Sequence, residues 1–450
     1  MKRDRLDFGN DKIGALFRAL FVPTLIGMVF NSALNICDGM FVGHGVGSNA
    51  LAAINIVAPL FLLCTGIGLM FGIGASVVGG IRLAEGNEKG ARIIMTQAYL
   101  AGAVIFGVVI AVSLLFTRKV LYILGCSPLL EREATDYLLW LLPGLVFFYA
   151  QCVGMMLIRL DGSPRYAMTV QIVAAVVNIF LDWLMVFPLG MGIRGASIAT
   201  SISCGLGGVM VLVYFVAFSN KLRFYRLKMS VKSLRLSLRN TGYMARIGFA
   251  TFLAELALGI MMVTGNFMFM KYLGEDGVAA FSVGCYLFPI IFSINNAVAQ
   301  AAQPIISFNY GAGQPGRVRS ALKISLFTAA VCGLLISCGM WGGASVLAGI
   351  FLPETAPAYA LAAQGLPLLG TCALFFAINI TFIGYYQSIE KALQPTLYML
   401  LRGVVFLIPG FILLPIVLGA TGLWLAIPAA EALTLAVILI GYWADRRIGG

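Results

Sequence analysis

Charge is what this 450-residue chain has least of. Asp, Glu, Lys and Arg together make up 11% of it, 60% is hydrophobic and the mean hydropathy is +0.97, whereas a soluble domain carries roughly 25% charged residues. A soluble globular protein is thereby excluded. Histidine is nearly absent: the single one, His44, follows the first apolar run in a Gly-rich turn and is assigned no role. The nine cysteines (37, 64, 126, 152, 204, 285, 332, 338 and 372) lie mostly inside apolar runs with no C-x-x-C pair. That spacing argues against a disulfide framework or a zinc site, and they read as small packing residues. The chain also lacks a P-loop, an HExxH pair and a nucleophile elbow, which argues against a membrane enzyme and against ATP as a direct energy source. No cofactor is expected.

What the chain has in abundance is apolar runs long enough to span roughly 30 Å of hydrocarbon at about 1.5 Å per residue. Twelve are read, at 13–43, 50–80, 93–117, 133–158, 167–188, 195–219, 243–271, 277–308, 320–350, 358–386, 395–418 and 422–443. The expected fold is an all-α integral membrane protein of twelve transmembrane helices. The amino-terminal MKRDRLDFGND mixes bases with acids and has no small-residue cleavage site, so the first span is expected to be retained. The net charge of +12 raises a nucleic-acid partner, but the placement of the bases argues against one. With the amino end inside, 24 of the 30 Lys and Arg fall at cytoplasmic ends and only Arg118, Lys119, Arg132, Arg194 and Lys271 fall outside, Arg402 being within a span. That asymmetry predicts both termini in the cytoplasm, in a cell inner (plasma) membrane.

The sequence resembles itself at an offset of 227 residues. Gly47 aligns with Gly274, Ala52-Ala53 with Ala279-Ala280, Leu60 with Leu287, Gly86 with Gly313, Arg92 with Arg319, Gly192 with Gly419 and Gly195 with Gly422. One constant offset across a six-span block predicts a duplication. Six is even, so both copies enter the membrane the same way, and their pseudo-twofold axis should run along the membrane normal. The expected organisation is an N-lobe over 1–219, a basic linker over 220–240 and a C-lobe over 241–450. The linker, NKLRFYRLKMSVKSLRLSLRN, holds seven bases and no acid. On a helix Leu227, Val231, Leu234 and Leu238 form one stripe, and Lys228, Lys232, Arg235 and Arg239 the next. The alternatives are a solvated loop and an amphipathic helix on the anionic inner leaflet.

Only four of the eighteen acids, Asp38, Asp182, Glu255 and Glu431, fall well within spans. An intramembrane carboxylate costs at least about 2.5 kcal/mol, so each is expected to face a bundle interior with partners. Asn31, Asn35 and Asp38 are spaced i, i+4, i+7 and share one helix face, while Asn178 precedes Asp182 by one turn. Asp38 lies five residues before Gly43 and Asp182 six before Pro188 on spans that both run outward, so the two acids should sit at one depth. Two carboxylates close together in low dielectric cannot both ionise cheaply, so one would carry an exchangeable proton. With the Asn amides as neutral oxygen donors, Asp38, Asn178 and Asp182 could equally hold a sodium ion. Pro23, in the same span as Asp38, permits a bend that the acid's protonation could govern.

Several stretches, GVGSNALAA, RLDGSPRYAM, GIRGASIAT and above all QPIISFNYGAG, resemble the multidrug and toxic compound extrusion (MATE) family of cation-coupled efflux transporters. The likeness runs in order over nearly the whole chain. It implies two lobes around a central cavity of alternating access, exporting cationic or amphipathic organic compounds in exchange for protons or sodium ions. It also implies an N-lobe cation network made of an aspartate on the first span and Asn-x-x-x-Asp on the fifth, which Asp38, Asn178 and Asp182 match. Under the repeat Asp38 maps to Gly265 and Asp182 falls near Pro409, so the C-lobe lacks this pair. The resemblance makes Glu255 the counterpart of a seventh-span glutamate used for cation or substrate binding in some members. Their tenth-span aspartate is missing here, Asn379 being the nearest polar residue.

Asn296, Gln300 and Gln303 are again spaced i, i+4, i+7, and either line the cavity or hydrogen-bond between helices. Arg402 and Glu431 on the last two spans are read as an ion pair. A lipid-linked saccharide flippase of related two-lobed design is the alternative function. Its anionic cargo would call for several cavity bases, against which one buried arginine and four acids favour cationic cargo. The protein is expected to work as a monomer, with the bilayer and small molecules as its partners.

Overall fold

The structure, a computed structural model, describes residues 6–228 and 230–448, without the side chains of residues 35, 36, 39, 43, 44, 48, 49, 51 and 446–448. Among the described residues it is helical throughout. In order come α1 (Ile13–Gly45), α2 (Ser48–Ala84), α3 (Glu88–Leu115), the short α4 (Thr117–Ile123), α5 (Glu131–Leu160), α6 (Pro164–Val186) and α7 (Gly192–Val213), which ends in a π-helical turn over Tyr214–Phe218. Then follow α8 (Val231–Gly311), α9 (Pro315–Gly342), the short α10 (Ala344–Phe351), α11 (Pro357–Gly370), α12 (Cys372–Ser388), α13 (Leu393–Leu400), a π-helical turn over Leu401–Val405, α14 (Leu407–Leu418) and α15 (Ala420–Ile448).

Among the described residues eleven helical stretches are long and apolar enough to cross a membrane. One of them, α8, contains two spans, because Gly274 (φ 67°, ψ −156°) breaks it into two arms. The count is therefore twelve, as the apolar runs predict. Helix starts follow local chemistry: Asn87 caps α3 by accepting from the Gly90 N–H at 2.8 Å, Ser230 caps α8 through the Ser233 N–H, and Pro164 and Pro357 sit in first turns where a missing N–H costs nothing.

The chain divides into two compact units, Met1–Phe252 with Ser307–Pro315, and Leu253–Ile306 with Gly316–Gly450. In the first, α5 packs between α2 and α7, α1 lies along α6, and α2 along α3. In the second, α15 is central, packed by α11, α12 and α14. The first unit thus takes in the beginning of α8 and the end of its second arm. A Cβ on Gly74 would strike the Met244 backbone and one on Gly248 the Met70 backbone, so α2 and α8 cross at two glycines in close contact.

The repeat is visible in backbone conformation. Gly47 and Gly274 have φ of 115° and 67°, Gly86 and Gly313 73° and 65°, and Gly192 and Gly419 59° each. All three pairs are 227 residues apart, and each ends or reverses a helix in the left-handed region where a side chain is strained. Gly162 (φ 82°) has Glu390 (φ 60°) as its counterpart at an offset of 228.

Candidate functional site: a facing carboxyl pair

Helices α1 and α6 run side by side in one parallel register. A Cβ on Gly27 would meet the Gln171 side chain, a Cβ on Gly45 would meet Val186 and Phe187, and the rings of Phe41 and Phe187 pack edge to face at 5.9 Å. The glycines let the helices approach, and the register brings Asp38 opposite Asp182 with their carboxyl groups in hydrogen-bonding reach. Asp182 is fully buried and Asp38 half-buried. Two bare carboxylates in such reach repel in low dielectric, and a proton or a cation would relieve that repulsion.

Asn178, one turn before Asp182, is also buried. With its amide nitrogen facing the acid, Nδ2 donates to Asp182 Oδ2 at 3.0 Å and Oδ1 accepts from the Thr200 N–H at 3.3 Å. Oδ1 of Asp38 and Oδ1 of Asp182 are buried without a hydrogen-bond partner. Orphaned acceptors of this kind are costly unless something occupies them, and an ion or proton shared by the two acids would do so. The side chain of Asn35 lies outside the described residues. Tyr137 of α5, buried, is within electrostatic range of both acids. Neither Tyr137 nor Thr200 was picked out in the sequence: Tyr137 stands beside charged residues at the end of its span, and Thr200 contributes its backbone N–H, which no side-chain pattern marks.

Pro23 is accommodated within α1, which continues through it. It removes the hydrogen bond that would reach the Ala19 carbonyl. Beside it Thr24 Oγ1 and Gln171 Oε1 are buried without partners.

The second unit has different chemistry. Arg402, placed by the π-helical turn, donates Nε to Glu431 Oε1 at 2.9 Å and also donates Nη2 to the same oxygen. Asn379 Nδ2 donates to Glu431 Oε2 at 2.8 Å and to its carbonyl at 2.9 Å. The guanidinium lies over the Phe376 ring, 4.4 Å from its centroid. Arg402, Glu431, Met261, Phe288 and Phe292 line a cavity of about 20 Å³, room for about one water molecule. Glu255 is buried on the same stretch of α8 as Met261. Asn296 donates back to the Phe292 carbonyl of its own helix at 3.0 Å, while Gln300 and Gln303 are buried. The residue next to Asn296 was missed: Asn295 is fully buried with both amide atoms unpartnered. Among the described residues no three His, Cys, Asp or Glu gather as a metal site.

Twelve spans in two repeats, with a carboxyl pair buried in one of them, define a multi-pass membrane transporter rather than an enzyme. Comparison with known proteins narrows the class. The MatE family profile matches residues 23–184 and again 250–412, two copies that begin 227 residues apart, and the chain belongs to the MATE family of transporters. It is 23% identical over 428 residues to the multidrug export protein MepA of Staphylococcus saprophyticus, covering 95% of this chain and 93% of that protein. It is 25% identical over 452 residues to the FAD transporter of Shewanella oneidensis, covering 99% and 97%. Among solved structures, a MATE family multidrug resistance transporter in an outward-facing conformation superposes with a TM-score of 0.91 at 20% identity, covering 100% of this chain and 98% of that one. A transporter from Pyrococcus furiosus, described as having a binding pocket of reverse polarity, matches with a TM-score of 0.88 at 19% identity, covering 98% and 97%.

Proposed function

We propose that this protein is an antiporter that exports cationic or amphipathic organic compounds by alternating access, driven by protons or sodium ions entering the cell through the Asp38–Asp182 pair. The observation that carries the reading is that pair: two acids in hydrogen-bonding reach, each with a buried orphan oxygen, backed by the Asn178 amide. Keeping such a pair in a membrane without a task is costly. A cation-exchange step uses it directly, because emptying the site restores the repulsion and filling it removes it. The break in the α1 hydrogen-bond ladder at Pro23 gives the site a weak point on the same helix through which filling can be read out. A proton is favoured over sodium, since the second unit has Asn379 where a further carboxylate would be needed. The same pair with Asn178 supplies the oxygens a sodium ion would use.

The relative named as an FAD transporter suggests an anionic cargo instead. Against it, the arginine that lines the second unit's cavity is already neutralised by Glu431. The protein is read as working in the plasma membrane, as a monomer, with both termini cytoplasmic, from the distribution of Lys and Arg.

The test is efflux of a cationic dye from vesicles containing purified protein, with proton and sodium gradients imposed separately. Asp38→Asn and Asp182→Asn should each keep the fold and abolish gradient-driven movement while dye still binds. Full coupled transport by both variants would overturn the assignment, and the gradient to which the wild-type protein responds identifies the ion.

A further inference from the structure

The basic linker is not a free loop. The Asp161 carboxylate accepts from the N–H groups of Asn220, Lys221 and Leu222 at 2.7, 2.9 and 3.0 Å. Arg92 Nε donates to the Lys221 carbonyl at 2.7 Å, and Thr96 Oγ1 accepts from the Tyr225 N–H at 3.0 Å. After this strap, Ser230 caps α8, and the first turns of α8 are held in turn: Gln97 Nε2 donates to Ser237 Oγ at 2.9 Å, and Asn240 Nδ2 donates to Gln97 Oε1 at 3.0 Å.

Gln97 also fixes the depth. From residue 98 to 115, α3 carries no charged residue and only the Tyr99 and Ser113 hydroxyls among its apolar side chains, eighteen residues or about 27 Å of helix. The contact with Gln97 therefore places Ser237 and Asn240 at the edge of the hydrocarbon, where lipid headgroups begin.

Which face of α8 looks outward follows from about 100° per residue. Ser237, Asn240 and the fully buried Met244 occupy an arc of about 60° turned toward α2 and α3. Val231, Leu234 and Leu238 lie roughly 60–120° from Ser237, and they are 87%, 63% and 66% exposed. Lys232, Arg235, Arg239 and Arg246 lie roughly 160–220° away and are exposed as well. An apolar stripe and a basic stripe thus run side by side on the unpartnered side of a pinned helix, at headgroup depth, in a segment with no acid.

We infer that this face, Val231, Leu234 and Leu238 with Lys232, Arg235 and Arg239, is a binding surface for anionic phospholipid of the adjoining leaflet. The bases take the phosphate headgroup and the leucine stripe covers the upper part of the acyl chains. Charge complementarity selects the partner: a zwitterionic headgroup offers no net charge to the three exposed bases, and an anionic one does. Each base near an anionic surface contributes about fivefold in affinity, on the order of a hundredfold for three.

Native mass spectrometry of the full-length protein in detergent, mixed with equal amounts of phosphatidylglycerol and phosphatidylcholine, tests this. The wild-type protein should retain phosphatidylglycerol preferentially. K232Q/R235Q/R239Q should lose most of that preference at an unchanged melting temperature, whereas neutralising three outer bases, R118Q/K119Q/R132Q, should leave it. On the wild-type protein itself, raising ammonium acetate from about 50 to 500 mM should weaken the preference through screening. Excess inorganic phosphate should not displace the lipid, because the apolar stripe holds the chains. No preference in the wild type, equal loss in the outer variant, or indifference to salt would each overturn the inference. The salt series decides it should the triple variant fail to fold.

Discussion

Asp38 and Asp182 face each other because α1 and α6 run side by side within about one turn of one register: Gly27 meets Gln171 further back and Gly45 meets Val186 and Phe187 at the far end. The same 144-residue separation that pairs 27 with 171 pairs 38 with 182. The acid pair is thus a consequence of helix packing at two glycines, and the strength of the site rests on what completes it.

Asn178 completes it, with one end on Asp182 and the other on the Thr200 N–H. Asn178→Leu, similar in volume but without the amide, should weaken binding of the coupling ion by roughly ten- to a hundredfold, the worth of one hydrogen bond to a carboxylate. The half-saturating ion concentration for dye efflux measures this. A wild-type value in the variant would remove Asn178 from the site.

Much of this candidate site is legible in the sequence. The i, i+4 spacing of Asn178 and Asp182 and the matching depths of the two acids are local properties, and the register of α1 and α6 preserves them. What was hidden came from tertiary approach. Tyr137 and Thr200 reach the site from helices whose own patterns point nowhere near it. On α8 the spacing of Asn296, Gln300 and Gln303 selects one face, yet the orphaned amide is that of Asn295, about 100° away. The breaks inside spans, at Thr371 and over Leu401–Val405, escape notice because hydropathy averages across them. The linker's amphipathic stripes were visible, but not the strap that pins them, since Asp161 lies some sixty residues away in sequence.

The Arg402–Glu431 pair is buried, with Asn379 completing the carboxylate's partners. Arg402→Met or Glu431→Gln alone leaves one member uncompensated and should cost about 3–5 kcal/mol. Arg402→Met with Glu431→Leu removes both charges and should recover most of that loss. Thermal unfolding of the purified variants in detergent reads it out. A double variant as unstable as the sum of the singles would mean that the pair is not the unit.

The Asp161 carboxylate accepts four hydrogen bonds, three from N–H groups of the strap and a fourth from the Tyr214 hydroxyl at 2.7 Å. Asp161→Asn turns an amide nitrogen toward two of these donors. Losing one strap bond if the nitrogen replaces Oδ2, or two if it replaces Oδ1, about 1.5–3 kcal/mol in total, should raise the open population of residues 220–226 on the order of ten- to a hundredfold. Limited trypsin digestion at Lys221, Arg223 and Arg226 should accelerate accordingly. Unchanged cleavage would show that the strap is held by Arg92 and Thr96 instead.

The repeat makes a paired prediction about glycine. Gly274 (φ 67°, ψ −156°) and Gly419 (φ 59°, ψ −139°) sit in or beside a backbone region that essentially only glycine populates, and their counterparts Gly47 and Gly192 share the positive φ. None of the four is crowded; a Cβ there would meet nothing within 4 Å, or for Gly192 only Val46 at 3.7 Å. Any cost of Gly274→Ala or Gly419→Ala is therefore backbone strain, about 1–3 kcal/mol each, and not a clash. Gly259 is the control, since it is helical and equally open, so Gly259→Ala should gain about 0.5–1 kcal/mol from the restricted unfolded chain. Melting temperatures of the purified variants should fall by a few degrees for the first two and rise slightly for the third. A Gly274→Ala protein as stable as wild type would mean that the turn between the two arms of α8 does not need the conformation it adopts.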